Sequence, residues 1–195
     1  MTAPLALPPS TVRVGGADVP IETGTAANVA ADSADRSTPG GRLSMLLAWY
    51  GRDGALPGPV ASDPMGALEA GISWSRAAMG CMDYGTAAAG GRGRGRGAAP
   101  GRLLDWSADA AIIGADFLRL YHIDLWEEDP HWYRFCALLL ALLRTEGSLV
   151  GQAAYARSPH DGARGAEASR AGRLREAWAL PPTEPELAEM ARARF

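Results

Sequence analysis

The sequence predicts a mainly α-helical protein, a helical bundle around a central helical hairpin, with a small β-hairpin near its start. Three observations carry this. Residues 105–144 gather Trp106, Trp126, Trp132, Phe117, Tyr121, Tyr133 and Phe135 among long aliphatic side chains, and the large apolar groups recur at steps of three and four, the spacing of one helical stripe. Residues 11–22, TVRVGGADVPIE, alternate apolar and polar positions on either side of a Gly-Gly pair, which is a hairpin signal. The remaining apolar segments are of helical length and are separated by Gly, Pro, Ser and Asp clusters.

In order along the chain, Val12 and Val14 form the first strand and Val19 and Ile21 the second. A lone two-stranded ribbon is marginal in water, so it is expected to lie on a helix or beside another chain. Thr23 to Ala31 is a helix candidate, and Asp32 to Gly41 reads as loop. Arg42 to Tyr50, apolar nearly all round, is a short buried helix, broken by the glycines and prolines of Gly51 to Ser62. Asp63 caps the next helix and Pro64 takes its first position. Met65, Leu68, Ile72, Met79 and Met82 mark its apolar side, with an end near Tyr84.

Gly85 to Gly101 is low in complexity and reads as a mobile linker. The expected organisation is therefore residues 1–84 as a β-hairpin with helices, 85–101 as a Gly/Arg-rich linker, and 102–195 as an aromatic-rich helical domain. In that last part Trp106, Ala110, Ile113, Phe117 and Leu120 lie on one stripe, and Trp132, Phe135, Leu139 and Leu142 on a second. The two helices are expected to close their apolar faces on each other across a break at His122 to Asp129. A short helix to about Arg157, a turn at Ser158 to Gly162, a helix from Glu167 to Leu180 and a last helix opened by the capping box of Thr183 and Glu186 complete the chain.

Composition excludes several classes. The net charge of −3 gives no general attraction to nucleic acid or anionic lipid. All 19 basic residues are arginine. The longest apolar run, Phe135 to Leu143, is too short to span a bilayer, and the start, with its prolines and no basic region, is unlike a signal peptide. Cys81 and Cys136 have no CxxC or Cys/His company and read as buried free thiols. A soluble protein of a reducing compartment is expected.

Chemistry has few places to hide. His122, Asp124, Glu127, Glu128, Asp129 and His131 cluster between the two central helices, yet no pair has a recognised metal-ligand spacing, and carboxylates at a helix start are explained by capping and the helix dipole. Asp109 and Asp116, seven residues apart, share a helix azimuth. Acid/base work by the pair is weighed against a first-turn Asp109 and an Asp116 facing solvent or an arginine, and the second account is plainer. No nucleophile elbow or phosphate loop is present. Arg92, Arg94 and Arg96 suit a spacer better than a nucleic-acid site, and Arg157, Arg164, Arg170, Arg173 and Arg175, interspersed with acids, suit a solvated face. No catalytic residue, cofactor or metal is expected.

The strings DWSADAAIIGADFLRLYHIDL, PHWYRFCALLLAL and AAYARSP resemble the bacteriophage gene-product-fifteen family of tail-morphogenesis proteins. The positions carrying the resemblance are Asp105, Trp106, Asp109, Ile113, Phe117, Tyr121, Ile123, Asp124, Leu125, His131, Trp132, Phe135, Tyr155 and Arg157, and the hairpin VRVGGADVPIET resembles the family's opening strand and turn. The likeness implies a non-enzymatic tail assembly chaperone. Its partners would be the tape measure protein and the tail tube or other tail proteins, with homo-oligomers left open and neither specific nucleic acid nor membrane involved. It implies action in the host cytoplasm during assembly. The alternative is a subunit retained in the virion tail or tail tip. On this reading Trp106, Asp109, Ile113, Phe117, Tyr121, Asp124, His131, Trp132, Phe135 and Arg157 are the signature and the candidate partner surface.

Overall fold

A computed structural model describes residues 9–79, 102–159, 163–182, 187 and 191–192. It is mainly helical, with eight helices among the described residues and one two-stranded antiparallel hairpin. The expected linker and most of the expected last helix lie outside the described residues, as does Cys81. The chain divides into two compact units, residues 1–92 with 123–141, and residues 93–122 with 142–195.

In the first unit, strands β1 (Thr11–Val14) and β2 (Ala17–Pro20) pair with Thr11 opposite Pro20 and Val14 opposite Ala17. Gly15 and Gly16 join them at φ of 56° and 83°, the left-handed conformation that a two-residue turn of this kind demands and that glycine adopts without a side-chain clash. Val14, Val19 and Ile21 are buried, so the ribbon is stabilised by packing rather than by its own few hydrogen bonds.

Helix α1 (Thr25–Ser33) is followed by α2 (Pro39–Tyr50), which starts three residues earlier than its apolar run. The reason is local. Thr38 Oγ1 accepts the Gly41 N–H at 3.0 Å, and Pro39 fills the first helical position, where a missing N–H costs nothing. The glycines of Pro39-Gly40-Gly41 disguise this cap as loop. A short helix, α3 (Gly58–Ser62), forms within the expected break.

Helix α4 (Pro64–Met79) begins as expected, with Asp63 Oδ1 accepting the Gly66 N–H at 2.9 Å. Its inward face differs from the expected one. Ala67, Leu68, Trp74 and Ala78 are buried while Met65 is exposed, because Met65 lies in the first turn, before the face meets its neighbours. Gly71 belongs to that face: a Cβ there would stand 2.4 Å from Cε3 of Trp49 on α2. The glycine that weakens the helix in isolation is what lets the indole lie against it. Gly71→Ala is therefore expected to cost about 1–3 kcal/mol through overpacking, against the gain in helix propensity, as read from the shift of a urea unfolding midpoint. An unchanged midpoint would contradict this packing.

Helix α5 (Ala110–Tyr121) lies in the second unit, and α6 (Trp132–Leu142) lies in the first except for its last residue. The two helices of the expected central hairpin thus fall mainly in different units. Each helix has partners outside the 105–144 stretch within its own unit: Trp132 of α6 donates its indole N–H to Ser75 O at 3.3 Å, while Asp116 of α5 is bonded to Ser148 and Val150. Trp106 also leaves its expected stripe. Residues 106–109 form a separate turn, because the Asp105 carboxylate accepts the N–H groups of Ser107 and Ala108 at 3.0 and 2.9 Å. Helices α7 (Leu149–Arg157) and α8 (Ala166–Ala177) complete the second unit. No helix of the described residues is long and apolar enough to cross a membrane.

Candidate functional site

The residues singled out by sequence fall into two clusters, one in each unit. In the second unit the carboxylate of Asp109 meets the guanidinium of Arg157, 48 residues away, in a bidentate pair. Nη1 lies 2.7 Å from Oδ2 and Nη2 lies 2.8 Å from Oδ1. The side chains are 8% and 4% exposed. Burying two charges is expensive unless every donor and lone pair is used, and here they are put to use. Arg157 Nε donates to Trp178 O at 2.7 Å and Nη1 also to Leu103 O at 2.9 Å, while Asp109 Oδ2 also accepts the Asp105 N–H at 2.9 Å. One arginine ties the turn before α5, the end of α7 and the residue after α8.

Asp116, on α5, faces neither solvent alone nor a lone arginine. It is fully buried. Its Oδ2 accepts Ser148 Oγ at 2.7 Å and the Val150 N–H at 3.0 Å, and Oδ1 accepts Arg119 Nη2 at 2.8 Å. The carboxylate thereby caps α7 from another helix, where unsatisfied N–H groups and the helix dipole favour negative charge. Burial pushes its pKa up, but the hydrogen bonds from Val150, Arg119, Ser148 and Leu149 outweigh it and hold the carboxyl below its ordinary 3.8.

The acid and histidine cluster resolves into helix-capping and turn contacts, with His122 in the second unit and the others in the first. Asp129 Oδ1 accepts the Ala26 N–H at 2.9 Å, capping α1 across 103 positions, since Gly24, the residue in the capping position, has no side chain to offer. A Cβ on Gly24 would stand 2.0 Å from Asp129 Oδ2, so the glycine makes room for the distant carboxylate. His131 precedes α6, and its Nδ1 accepts the Tyr133 N–H at 3.2 Å. Its ring sits 6.1 Å from that of Trp74 and 5.8 Å from that of Tyr133, and burial lowers its pKa below 6.5. Asp124 accepts the Trp126 N–H at 2.9 Å through Oδ1, while its own N–H donates to Glu128 Oε1 at 3.3 Å. His122 ends α5 with a left-handed φ of 56°, as the residue after a helix commonly does.

These geometries set the pH response. His131 has a lowered folded pKa, so its stabilising contribution is complete above the unfolded value of 6.5 and is lost as pH falls below it. Asp116 behaves likewise in a lower window: its contribution is complete above 3.8 and is lost as pH falls toward the depressed folded value. Stability measured by urea unfolding is expected to fall in two steps, the first absent in His131→Asn and the second reduced in Asp116→Asn. A flat profile from pH 7 to pH 5 would contradict the first step.

Of the candidate partner-surface positions, Ile113, Phe117, Trp132 and Phe135 are buried, as are Asp109 and the paired Arg157 side chain. Trp106, Tyr121, Asp124 and His131 are half-buried. The structure brings Asp109 and Arg157 together within one unit, and His131, Trp132 and Phe135 together in the other, with the Trp132 and Phe135 rings stacked at 5.5 Å. Sequence reasoning missed Asn28, which is buried, accepts the Trp49 indole N–H at 3.0 Å and donates to Gly24 O at 2.8 Å. A polar residue inside an Ala-rich helix was the only local signal.

No curated protein and no solved structure matches the chain. A family model, described as Bacteriophage Gp15 protein, matches residues 84–158. That segment contains Asp109, Asp116, Asp124, Asp129, His131 and Arg157, the groups that cap and pair within the two units, as well as Trp132. Residues 84–158 are thus similar to the bacteriophage Gp15 proteins, the same likeness that the sequence motifs carry.

Proposed function

We propose that the protein is a non-enzymatic tail assembly chaperone, acting with the tape measure and tail tube proteins while the tail is built. The observation that carries the reading is the Gp15 match over residues 84–158, joined to the family's resemblance along the same signature. The charged groups within it support a structural use: the carboxylates and histidine named above serve as caps and ion-pair members, and each contact is one that holds an element in place. A chaperone for long apolar helices needs accessible apolar surface on a scaffold that stays folded. Leu43 and Leu47, one turn apart on α2, are exposed, as are Met65, Leu118 and Trp126.

The test has two parts. Co-expression with the cognate tape measure protein is expected to yield a complex that survives size-exclusion chromatography. Omitting the protein during phage growth is expected to reduce tail yield or alter tail length. Absence of both effects overturns the proposal. Mass spectrometry of purified virions separates the chaperone, which is missing from them, from a subunit retained in the tail, which is present in many copies.

A further inference from the structure

We propose that the turn carrying Trp126 is a docking point for a basic segment of a protein partner, one in which an arginine or lysine stands beside an apolar side chain. Trp126 is 68% exposed, the most exposed of the large hydrophobic residues described. Tryptophan is large enough that leaving it in water forgoes a substantial burial energy. It is also the residue type most enriched where binding energy concentrates.

The turn is built to hold that ring out. Asp124 accepts the Trp126 N–H through its side chain at 2.9 Å and the Glu128 N–H through its carbonyl at 2.7 Å, and Glu128 Oε1 accepts the Asp124 N–H at 3.3 Å. Reciprocal side-chain to backbone bonds of this kind fix a turn without help from a core. The following Asp129 is anchored on α1 through Ala26. The backbone is thus already ordered, and binding there costs little further entropy.

Charge decides what the ring meets. Between residues 120 and 133 the chain has Asp124, Glu127, Glu128 and Asp129 and neither arginine nor lysine. Trp126, Glu127 and Glu128 are exposed. Glu127 makes no ion pair among the described residues. An indole face attracts a cation, arginine most readily, and the flanking carboxylates add attraction for the same group while repelling an acidic partner. The apolar edge of the ring would be covered by a neighbouring aliphatic side chain of the same segment.

The inference rests on the assembly role only for which protein supplies the segment, so the experiment has two arms. In the first, the full chain is titrated with an acetylated Arg-Leu-Leu-Arg amide and with its Glu-Leu-Leu-Glu counterpart, followed by the indole N–H resonances. The arginine peptide is expected to move the Trp126 resonance saturably and the glutamate peptide to leave it still. Trp126→Ala and the double variant Glu127→Gln, Glu128→Gln are each expected to weaken the arginine peptide about tenfold, by fluorescence anisotropy of a labelled copy. Equal response to the two peptides, or none at Trp126, overturns the proposal. In the second arm the cognate tape measure protein replaces the peptide. If the unmodified chain binds it and Trp126→Ala binds equally well, the docking point is refuted and the assembly role stands. If the unmodified chain fails to bind it and omitting the protein leaves tail yield and length unchanged, while the arginine peptide still binds at Trp126, the assembly role fails and the docking point stands.

Discussion

Replacing Arg157 with Ala is expected to destabilise the protein by about 3–5 kcal/mol, the range for removing one partner of a buried ion pair. The size follows from what is left behind. Asp109 would keep a buried carboxylate that the Asp105 N–H alone does not neutralise, and the carbonyls of Leu103 and Trp178 would lose their charged donor. Arg157→Lys is expected to recover little of the loss, because an ammonium cannot reproduce a planar fork that meets both carboxylate oxygens while Nε reaches a third acceptor. The double variant Asp109→Leu, Arg157→Leu separates the charge from its geometry. If the pair serves stability alone, the double variant recovers most of what the single one loses; continued loss assigns the network a role in holding the turn before α5. Chemical denaturation followed by far-ultraviolet circular dichroism measures all of these, and a loss below about 1 kcal/mol for Arg157→Ala would show the pair to be solvated in solution.

Trp132→Ala is expected to cost about 3–5 kcal/mol, as large-to-small changes at a fully buried aromatic do. The side chain is 0% exposed, stacks on Phe135, and donates to Ser75 O. Its backbone N–H also reaches Thr23 O at 2.6 Å, beside the isolated bridge between Gly24 and His131. A cavity at this point loosens the attachment of α1 as well as of α6, so amide exchange is expected to accelerate in both. Trp126→Ala, six residues earlier in the chain, is expected to change stability by less than about 0.5 kcal/mol. Two tryptophans of one short acidic stretch thus have opposite duties. Equal stability losses for the two would contradict the assignment of Trp132 to the core and Trp126 to the surface.

Much of the local structure was legible beforehand. The alternation around Gly15-Gly16, the Asp63-Pro64 start of α4 and the Ile113 and Phe117 face of α5 are short-range signals, and each forms where expected. Thr38-Pro39 was equally local, but the adjoining glycines masked it. The signature was legible as a likeness before its use was. Asp109 and Arg157 stood in the pattern as separate letters, and only folding puts them 2.7 Å apart.

The amino-acid sequence by itself determined the class of the protein, its β-hairpin and most of its helices, because periodicity, caps and turn residues act within a few positions of one another. The tertiary structure alone decided how these pieces are shared out. It assigned α5 and α6 to separate units, set Gly71 under Trp49 and gave α1 a cap from Asp129. It buried the Asp109 and Arg157 charges together. The physical reason is common to all of them. Desolvation, close packing and ion pairing depend on distance in space, and residues 22 to 103 positions apart carry no periodic mark of the partner they will meet.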